Sequence, residues 1–206
     1  MIKVIVVDID GILLKNRGSF LNWCRPRQIK LLREMPGLKR TTISVGETLE
    51  KILGIRHEVN APLIEQLNKI RRDLCCPRIM LFTDRSYVGL KNIWSEISEL
   101  NLYPGDVIRI FGKKGGRQAR KAIQKNLNTA AGILVTSHIK PRANSLFVIR
   151  RWSYCEDPPI KPEEVLIVDD DRFFLNVARA EGFRTITETH SNEITTFLIR
   201  GALAGF

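Results

Sequence analysis

Five short apolar runs recur along the chain, and segments with helical spacing lie between them. The runs are rich in Val and Ile and have the usual length of buried β-strands. They cover residues 4–7, 79–82, 107–111, 133–135 and 165–168. Strands that alternate with helices predict a parallel sheet with helices on both faces, that is, an α/β fold with a Rossmann-like sheet.

The segments between the runs divide the chain into a core and an insertion. Helical spacing predicts helices over 62–74, 87–100, 117–127 and 173–181. Between residues 14 and 59 the pattern changes to two predicted helices, 26–34 and 46–53, with no buried strand. We interpret 15–59 as a small helical cap inserted after the first strand, and 1–14 with 60–206 as the α/β core. Long connections of this kind are usually functional.

Composition limits the class of protein. The 206 residues contain no apolar stretch of membrane-spanning length, and the N-terminus has no signal-peptide pattern. We therefore expect a cytoplasmic protein without a membrane partner. The four cysteines, Cys24, Cys75, Cys76 and Cys155, lack the spacing typical of a disulfide framework or a zinc site.

The net charge of +11 is the unusual bulk feature of the sequence. Such an excess commonly attracts phosphate-rich partners, so nucleic acid is a candidate partner. Segment 113–125 is strongly basic and lacks interleaved aromatic residues, and a solvated surface and a polyanion contact both remain open for it. A second basic patch in the insertion lies near Trp23 and contains Arg25, Arg27, Lys30 and Arg33.

Two apolar runs end in carboxylates. Asp8 and Asp10 follow the first run, and Asp169 to Asp171 follow the last. In a parallel sheet both clusters lie at the carboxyl edge, where open α/β folds bind ligands. Neighbouring carboxylates repel one another unless a cation lies between them, and Mg²⁺ suits such oxygen ligands. Acidic residues also cap helices at such turns, but two clusters favour a functional site.

Four sequence motifs, in order, resemble those of the haloacid dehalogenase-like (HAD) phosphohydrolase superfamily. DIDGI at 8–12 resembles its DxDGT/V motif, and LFTD places Thr83 at a strand end. HIKP supplies Lys140, and PEEVLIVDDD with the downstream ARAEGFRTI resembles the final acidic motif with its helix and strand. The similarity covers most of 1–12 and 61–190 and implies a HAD-like phosphatase that requires Mg²⁺.

The resemblance also implies a role for each matching residue. Asp8 would be the nucleophile that forms an aspartyl-phosphate, and Asp10 would protonate the leaving oxygen and later activate water. Thr83 would bind phosphoryl oxygens, and Lys140 would offset negative charge. Dehalogenase members lack the second Asp, so Asp10 favours phosphoryl chemistry.

The remaining assignments concern the metal and the substrate. Asp169 and Asp170 would complete the magnesium site with Asp8 and the backbone carbonyl of Asp10. Gly11 and Asp84 would add substrate contacts beside Thr83 and Lys140.

Some positions depart from the family pattern or leave alternatives open. Ile12 stands where Thr or Val is usual, and the final motif lacks a later Asp, so Asp169, Asp170 and Asp171 all remain candidate direct ligands. Lys113 or Lys114 could replace Lys140 as the active-site lysine.

The function predicted from these residues is hydrolysis of a phosphomonoester, with a nucleic-acid end or another polyanion as a candidate substrate. A phosphotransferase or mutase would use the same intermediate. The alternative is a catalytically idle basic subunit of a nucleoprotein or another large assembly. The sequence does not define the oligomeric state.

Overall fold

The computed structural model describes residues 2–15, 45, 47, 48, 52, 56–73, 77–113, 116–137 and 143–187. The strands in this part of the chain are β1 (Val4–Val7), β2 (Leu14–Lys15), β3 (Glu58–Val59), β4 (Arg78–Phe82), β5 (Val107–Phe111), β6 (Gly132–Thr136), β7 (Val165–Asp169) and β8 (Arg184–Thr187). Six of them form a parallel sheet in the order β6-β5-β4-β1-β7-β8. The five apolar runs match five of these strands to within one residue at each end.

Helices cover both faces of this sheet. They are α1 (Ala61–Asp73), α2 (Tyr87–Ile97), α3 (Arg117–Asn126), α4 (Ala143–Tyr154) and α5 (Arg172–Ala180). Apolar residues of α1, α2 and α3 pack on one face, and those of α4 and α5 pack on the other. The predicted α/β class is therefore confirmed. No helix within the described ranges is long and apolar enough to cross a membrane.

Strand β1 is central and is buried on both faces. Ile5 and Val7 belong to one core cluster, and Val4 and Val6 belong to the other. Burial on both faces explains why the sequence shows a continuous apolar run rather than alternation. Since β1 pairs with both β4 and β7, the residues that follow these three strands meet at the carboxyl edge of the sheet.

Helix α4 was missed by the sequence analysis. Its inward face contains Leu146 and Ile149, but Ser145 and Ser153 are also buried on this helix. These serines interrupt the apolar periodicity by which a helix is recognised. The predicted helix over 87–100 also ends earlier than expected, because α2 stops at Ile97 with Ser98 as its C-cap.

Short strands close the base of the predicted insertion. Leu14 pairs with Val59, and Lys15 with Glu58, in an antiparallel ladder that is too short to give a sequence pattern. Residues 45, 47, 48 and 52 are helical, while the predicted helix 26–34 and the basic patch near Trp23 lie outside the described residues. The division into core and cap stays a prediction.

Candidate active site

Three carboxylates converge at the carboxyl edge of β1 and β7. Asp8, Asp169 and Asp170 each offer an oxygen, and these oxygens lie within 4.8 Å of one another. The sheet brings them together, because Val7 pairs with Val168 and the Asp8 N–H donates to the Val168 carbonyl at 3.0 Å. The two acidic clusters of the sequence therefore do meet in space.

The chemistry of these carboxylates fits a magnesium ion. Asp8 and Asp169 are only 5% and 1% exposed, so little water is available to offset their mutual repulsion. Backbone N–H groups of Ile9 and Asp171 each donate to one of these carboxylates at 2.8 Å and fix its orientation. Clustered carboxylate oxygens are the donors that Mg²⁺ prefers in proteins.

Asp171 has a structural contact instead. Its Oδ1 accepts hydrogen bonds from the N–H groups of Phe173 at 3.0 Å and Phe174 at 3.2 Å, so it is the N-cap of α5. Capping satisfies backbone donors that the first turn of a helix leaves unpaired. Of the three acids left open by the sequence, Asp169 and Asp170 thus belong to the cluster and Asp171 caps the helix.

Asp10 makes its contacts with a different group of residues. The Arg85 guanidinium donates to its carboxylate from Nη2 to Oδ1 at 2.7 Å and from Nε to Oδ1 and Oδ2 at 3.0 and 3.1 Å. The Thr83 hydroxyl adds a longer hydrogen bond to Oδ2 at 3.4 Å. Asp8 and Asp10 therefore serve separate purposes, one in the acidic cluster and one beside the turn that follows β4.

That turn is anchored from inside the protein. Thr83 is fully buried, and its Oγ1 accepts the Arg85 N–H at 3.0 Å. Arg109 of β5 is also fully buried and donates from Nη1 to the Thr83 carbonyl at 2.6 Å and to Asp84 Oδ1 at 2.8 Å. The Arg109 guanidinium lies 4.5 Å from the centre of the Phe82 ring. The side chain of Asp84 is thus used to hold the turn.

Gly11 brings the chain close to the acidic cluster. It has a φ of +90°, and its N–H donates to the Leu14 carbonyl at 2.8 Å. A positive φ is costly for residues with a β-carbon, so this tight turn after Asp10 favours glycine.

The insertion also contacts the turn after β4. Glu47 is 6% exposed, and its carboxylate accepts the N–H of Ser86 at 2.7 Å and the Ser86 hydroxyl at 2.5 Å. Ser86 is itself the N-cap of α2, bonded to the Gly89 N–H. A residue of the predicted cap therefore touches the loop that contains Thr83 and Arg85.

The active-site lysine is not defined by this geometry. Lys140 and Lys114 lie outside the described residues, and Lys113 has an exposed side chain. Their roles stay predictions. Within the described part of the chain, Arg85 contributes a cation that is hydrogen-bonded to the carboxylate of a predicted catalytic residue, Asp10.

The sequence analysis missed Arg85, Arg109 and Glu47. Arg109 gave a signal, because a charged residue in the middle of an apolar strand requires a buried partner. Arg85 and Glu47 gave none, since their partners depend on contacts across the fold.

Comparison with solved structures finds matches among enzymes and hydrolases of the HAD family. The HAD family enzyme BT-2542 from Bacteroides thetaiotaomicron aligns with a TM-score of 0.53 and 14% identity over 96% of this chain and 98% of that chain. Its wild-type complex with magnesium and inorganic phosphate aligns with a TM-score of 0.47 and 15% identity over 92% and 95% of the two chains. A predicted HAD-like family hydrolase from Porphyromonas gingivalis gives 0.48 and 18% over 96% and 98%.

No family model and no curated protein sequence matches this chain. The similarity to BT-2542 shows that the chain has the HAD-like fold, which confirms the fold predicted from the motifs.

Proposed function

We propose that this protein is a magnesium-dependent phosphatase that hydrolyses a phosphomonoester through an aspartyl-phosphate on Asp8. The observation that carries the proposal is the convergence of Asp8, Asp169 and Asp170 at the carboxyl edge of a HAD-like sheet. Asp10, which follows β1, and Thr83, which follows the neighbouring strand β4, are joined by a hydrogen bond. In the proposal Asp8 is the nucleophile, Asp10 is the proton carrier, and Thr83 binds phosphoryl oxygens once its hydroxyl is released from Asp10.

The proposed reaction has two halves. A carboxylate oxygen of Asp8 forms a bond to phosphorus, the ester P–O bond breaks, and the leaving oxygen takes a proton from Asp10. Water then attacks the aspartyl-phosphate, Asp10 takes a proton from that water, and phosphate leaves with Asp8 regenerated. Thr83, Lys140 and the backbone N–H of Asp84 would bind the phosphoryl group, whereas the N–H of Gly11 is already bonded to the Leu14 carbonyl.

Asp8, Asp169, Asp170 and the backbone carbonyl of Asp10 would hold the Mg²⁺. When bound, the ion would supply positive charge that offsets the charge of phosphate and nucleophile. BT-2542, whose fold this chain shares, has been crystallised with magnesium and inorganic phosphate. The buried positions of Asp8 and Asp169 support the same ion here, because close carboxylates with little solvent favour a bound cation.

An Asp8→Asn variant tests the proposal. Hydrolysis of p-nitrophenyl phosphate with Mg²⁺ should fall at least about 100-fold, because an amide cannot form the covalent intermediate. The matched control is Glu163→Gln, which also neutralises one acid but lies on the exposed turn before β7. Wild-type turnover by Asp8→Asn would overturn the proposal.

Helix α3 favours a polyanionic substrate such as a nucleic-acid end. It contains Arg117, Arg120, Lys121 and Lys125, no acidic residue and no buried residue. This helix follows the parallel strand β5, so it begins at the carboxyl edge of the sheet, where the acidic cluster also lies. A row of exposed cations can neutralise successive phosphates of a bound strand.

A comparison of kcat/KM between two substrates tests this narrower proposal. A 3′-phosphorylated oligonucleotide should be hydrolysed with a higher kcat/KM than a sugar phosphate, and the advantage should shrink as salt rises. Arg120→Glu with Lys121→Glu should remove the advantage, whereas Lys69→Glu, an exposed charge reversal on α1, should keep it. Equal kcat/KM for both substrates would reject a nucleic-acid end.

The other activities left open by the sequence give different results in the same assays. A phosphotransferase or mutase would transfer the phosphoryl group to an added alcohol or sugar phosphate faster than to water. An idle subunit would bind RNA or DNA with steep salt dependence and hydrolyse no phosphoester. The cytoplasmic location stays a prediction.

A further inference from the structure

Arg85 holds the carboxylate of Asp10 in a defined orientation. Its side chain is 6% exposed, and Nε and Nη2 together contact both carboxylate oxygens. Two parallel N–H groups of one guanidinium fix the plane of a carboxylate as well as its position, which the point charge of a lysine cannot do.

The backbone of Arg85 is itself held by two hydrogen bonds. Its own N–H donates to Thr83 Oγ1 at 3.0 Å, and its carbonyl accepts the N–H of Phe111 at 2.8 Å. The residue thus joins the ends of β4 and β5, and its guanidinium projects to Asp10 from a rigid base. A long surface side chain would lose more entropy in making the same contact.

The two oxygens of Asp10 are bonded unequally. Oδ1 accepts the shortest hydrogen bond, at 2.7 Å, and another at 3.0 Å. Within the described part of the chain, Oδ2 accepts the two longer bonds, at 3.1 Å from Arg85 and 3.4 Å from Thr83. The Asp10 side chain remains 31% exposed, so the carboxylate is still accessible to solvent.

We propose that Arg85 is a positioning residue for Asp10, holding Oδ1 so that Oδ2 carries the transferred proton. This inference rests on the proposed phosphatase function. In the first half-reaction the proton on Oδ2 passes to the leaving oxygen as the P–O bond breaks. In the second half-reaction Oδ2 accepts the proton of the attacking water. Arg85 gives up no proton in either half, because its guanidinium stays charged.

The role of Arg85 can be tested by measuring kcat on substrates whose leaving groups differ in basicity. A p-nitrophenolate leaves with little protonation, whereas an alkoxide requires a proton from Asp10. Arg85→Met should therefore lower kcat about 100-fold on an alkyl phosphate and less than about 10-fold on p-nitrophenyl phosphate. Arg85→Lys keeps the charge but loses the fork and should show the same inequality.

Arg109→Lys is the matched control. It removes a guanidinium that contacts the same turn, and Arg109 donates to Thr83 and Asp84 rather than to Asp10. Its losses on the two substrates should be equal. Arg85→Met combined with Asp10→Asn should lose no more than Asp10→Asn alone, because both changes remove the same proton transfer.

Rescue by added guanidinium distinguishes loss of the Arg85 side chain from misfolding of an Arg85 variant. Millimolar guanidinium should restore alkyl-phosphate hydrolysis to Arg85→Ala by at least about 10-fold, and urea, a neutral molecule of similar shape, should not. Equal losses on both substrates in Arg85→Lys, or a further loss in the double variant, would overturn the role of Arg85. Full activity in Asp8→Asn would overturn the phosphatase itself, so the two failures are distinguishable.

Discussion

The α-carbon of Gly11 faces the side chain of Asp170, and a β-carbon at position 11 would lie 2.6 Å from Asp170 Cγ. Real β-carbons essentially never lie within 3.0 Å of a non-bonded atom, so a larger residue would displace either the turn or the carboxylate. Asp170 belongs to the carboxylate cluster with Asp8 and Asp169. The turn after β1 therefore places the exposed member of the proposed metal site.

Gly11→Ala should weaken Mg²⁺ binding. We expect at least a tenfold rise in the Mg²⁺ dissociation constant, measured by calorimetry, because the new methyl group pushes Asp170 out of the cluster. The positive φ adds a conformational cost of about 1 to 2 kcal/mol in the free energy of unfolding.

Gly105→Ala separates these two effects. Gly105 has a φ of +96°, but a β-carbon there would come no nearer than 3.7 Å to another residue. It should therefore lower stability by a similar amount and leave Mg²⁺ binding unchanged. Equal Mg²⁺ affinities for the two variants would contradict our account of Gly11.

Asp170 and Asp171 should respond differently to the same substitution. Asp170→Asn removes a negatively charged oxygen ligand from the cluster and should raise the Mg²⁺ concentration that gives half-maximal activity at least tenfold. Asp171→Asn should leave it unchanged, because Asn is as good an N-cap as Asp. Titrating activity with Mg²⁺ compares the neighbours directly, and a larger effect at Asp171 would reverse our assignment.

The sequence was sufficient to predict the sheet and the convergence of the acids. Both followed from β1 and β7, whose continuous apolar runs reflect burial on two faces and whose ends carry Asp8 and Asp169. The fold could be predicted because these patterns are local. Asp171 could not be separated from its neighbours, since capping depends on where α5 begins.

Contacts between distant residues could not be predicted. Arg85 lies 75 residues from Asp10, and Glu47 lies 39 residues from Ser86, so neither pair leaves a periodic trace. Arg109 did interrupt an apolar run, which indicated a buried charge but not its partner. The turn after β4 is thus held in place by tertiary contacts that its motif does not predict.

Glu164 should make stability depend on pH. A hydrogen bond from the Lys3 side chain, and then one from the Lys161 N–H, hold the pKa of Glu164 below its ordinary value of 4.5. The ionised carboxylate therefore stabilises the folded state above pH 4.5, and this contribution is lost as the pH falls through the lower pKa of the folded protein.

Urea unfolding at two pH values tests this effect. Glu164→Gln should be less stable than the wild type at pH 7, and the difference should shrink at pH 3. Glu163→Gln, an exposed neighbour on the same turn, should match the wild type at both. A difference for Glu164→Gln that does not change with pH would show that the ion pair is irrelevant.

Gly89 and Glu47 test the contact between the insertion and the core. Gly89 lies inside α2, where Ala would ordinarily stabilise a helix by about 1 kcal/mol. A β-carbon at position 89 would, however, lie 2.7 Å from Glu47 Cγ, so Glu47 could no longer reach Ser86. We therefore expect Gly89→Ala to destabilise the protein, as measured by urea unfolding.

The effect of Gly89→Ala on the free energy of unfolding should change sign once the Glu47 side chain is removed. In a Glu47→Ala background the clash is absent, so Gly89→Ala should stabilise the protein by about 0.5 to 1 kcal/mol through helix propensity alone. This reversal in a double-mutant cycle measures the coupling between the residues. If Gly89→Ala has the same effect in both backgrounds, Glu47 does not pack over α2 in solution, and the turn after β4 is not tied to the insertion through this residue.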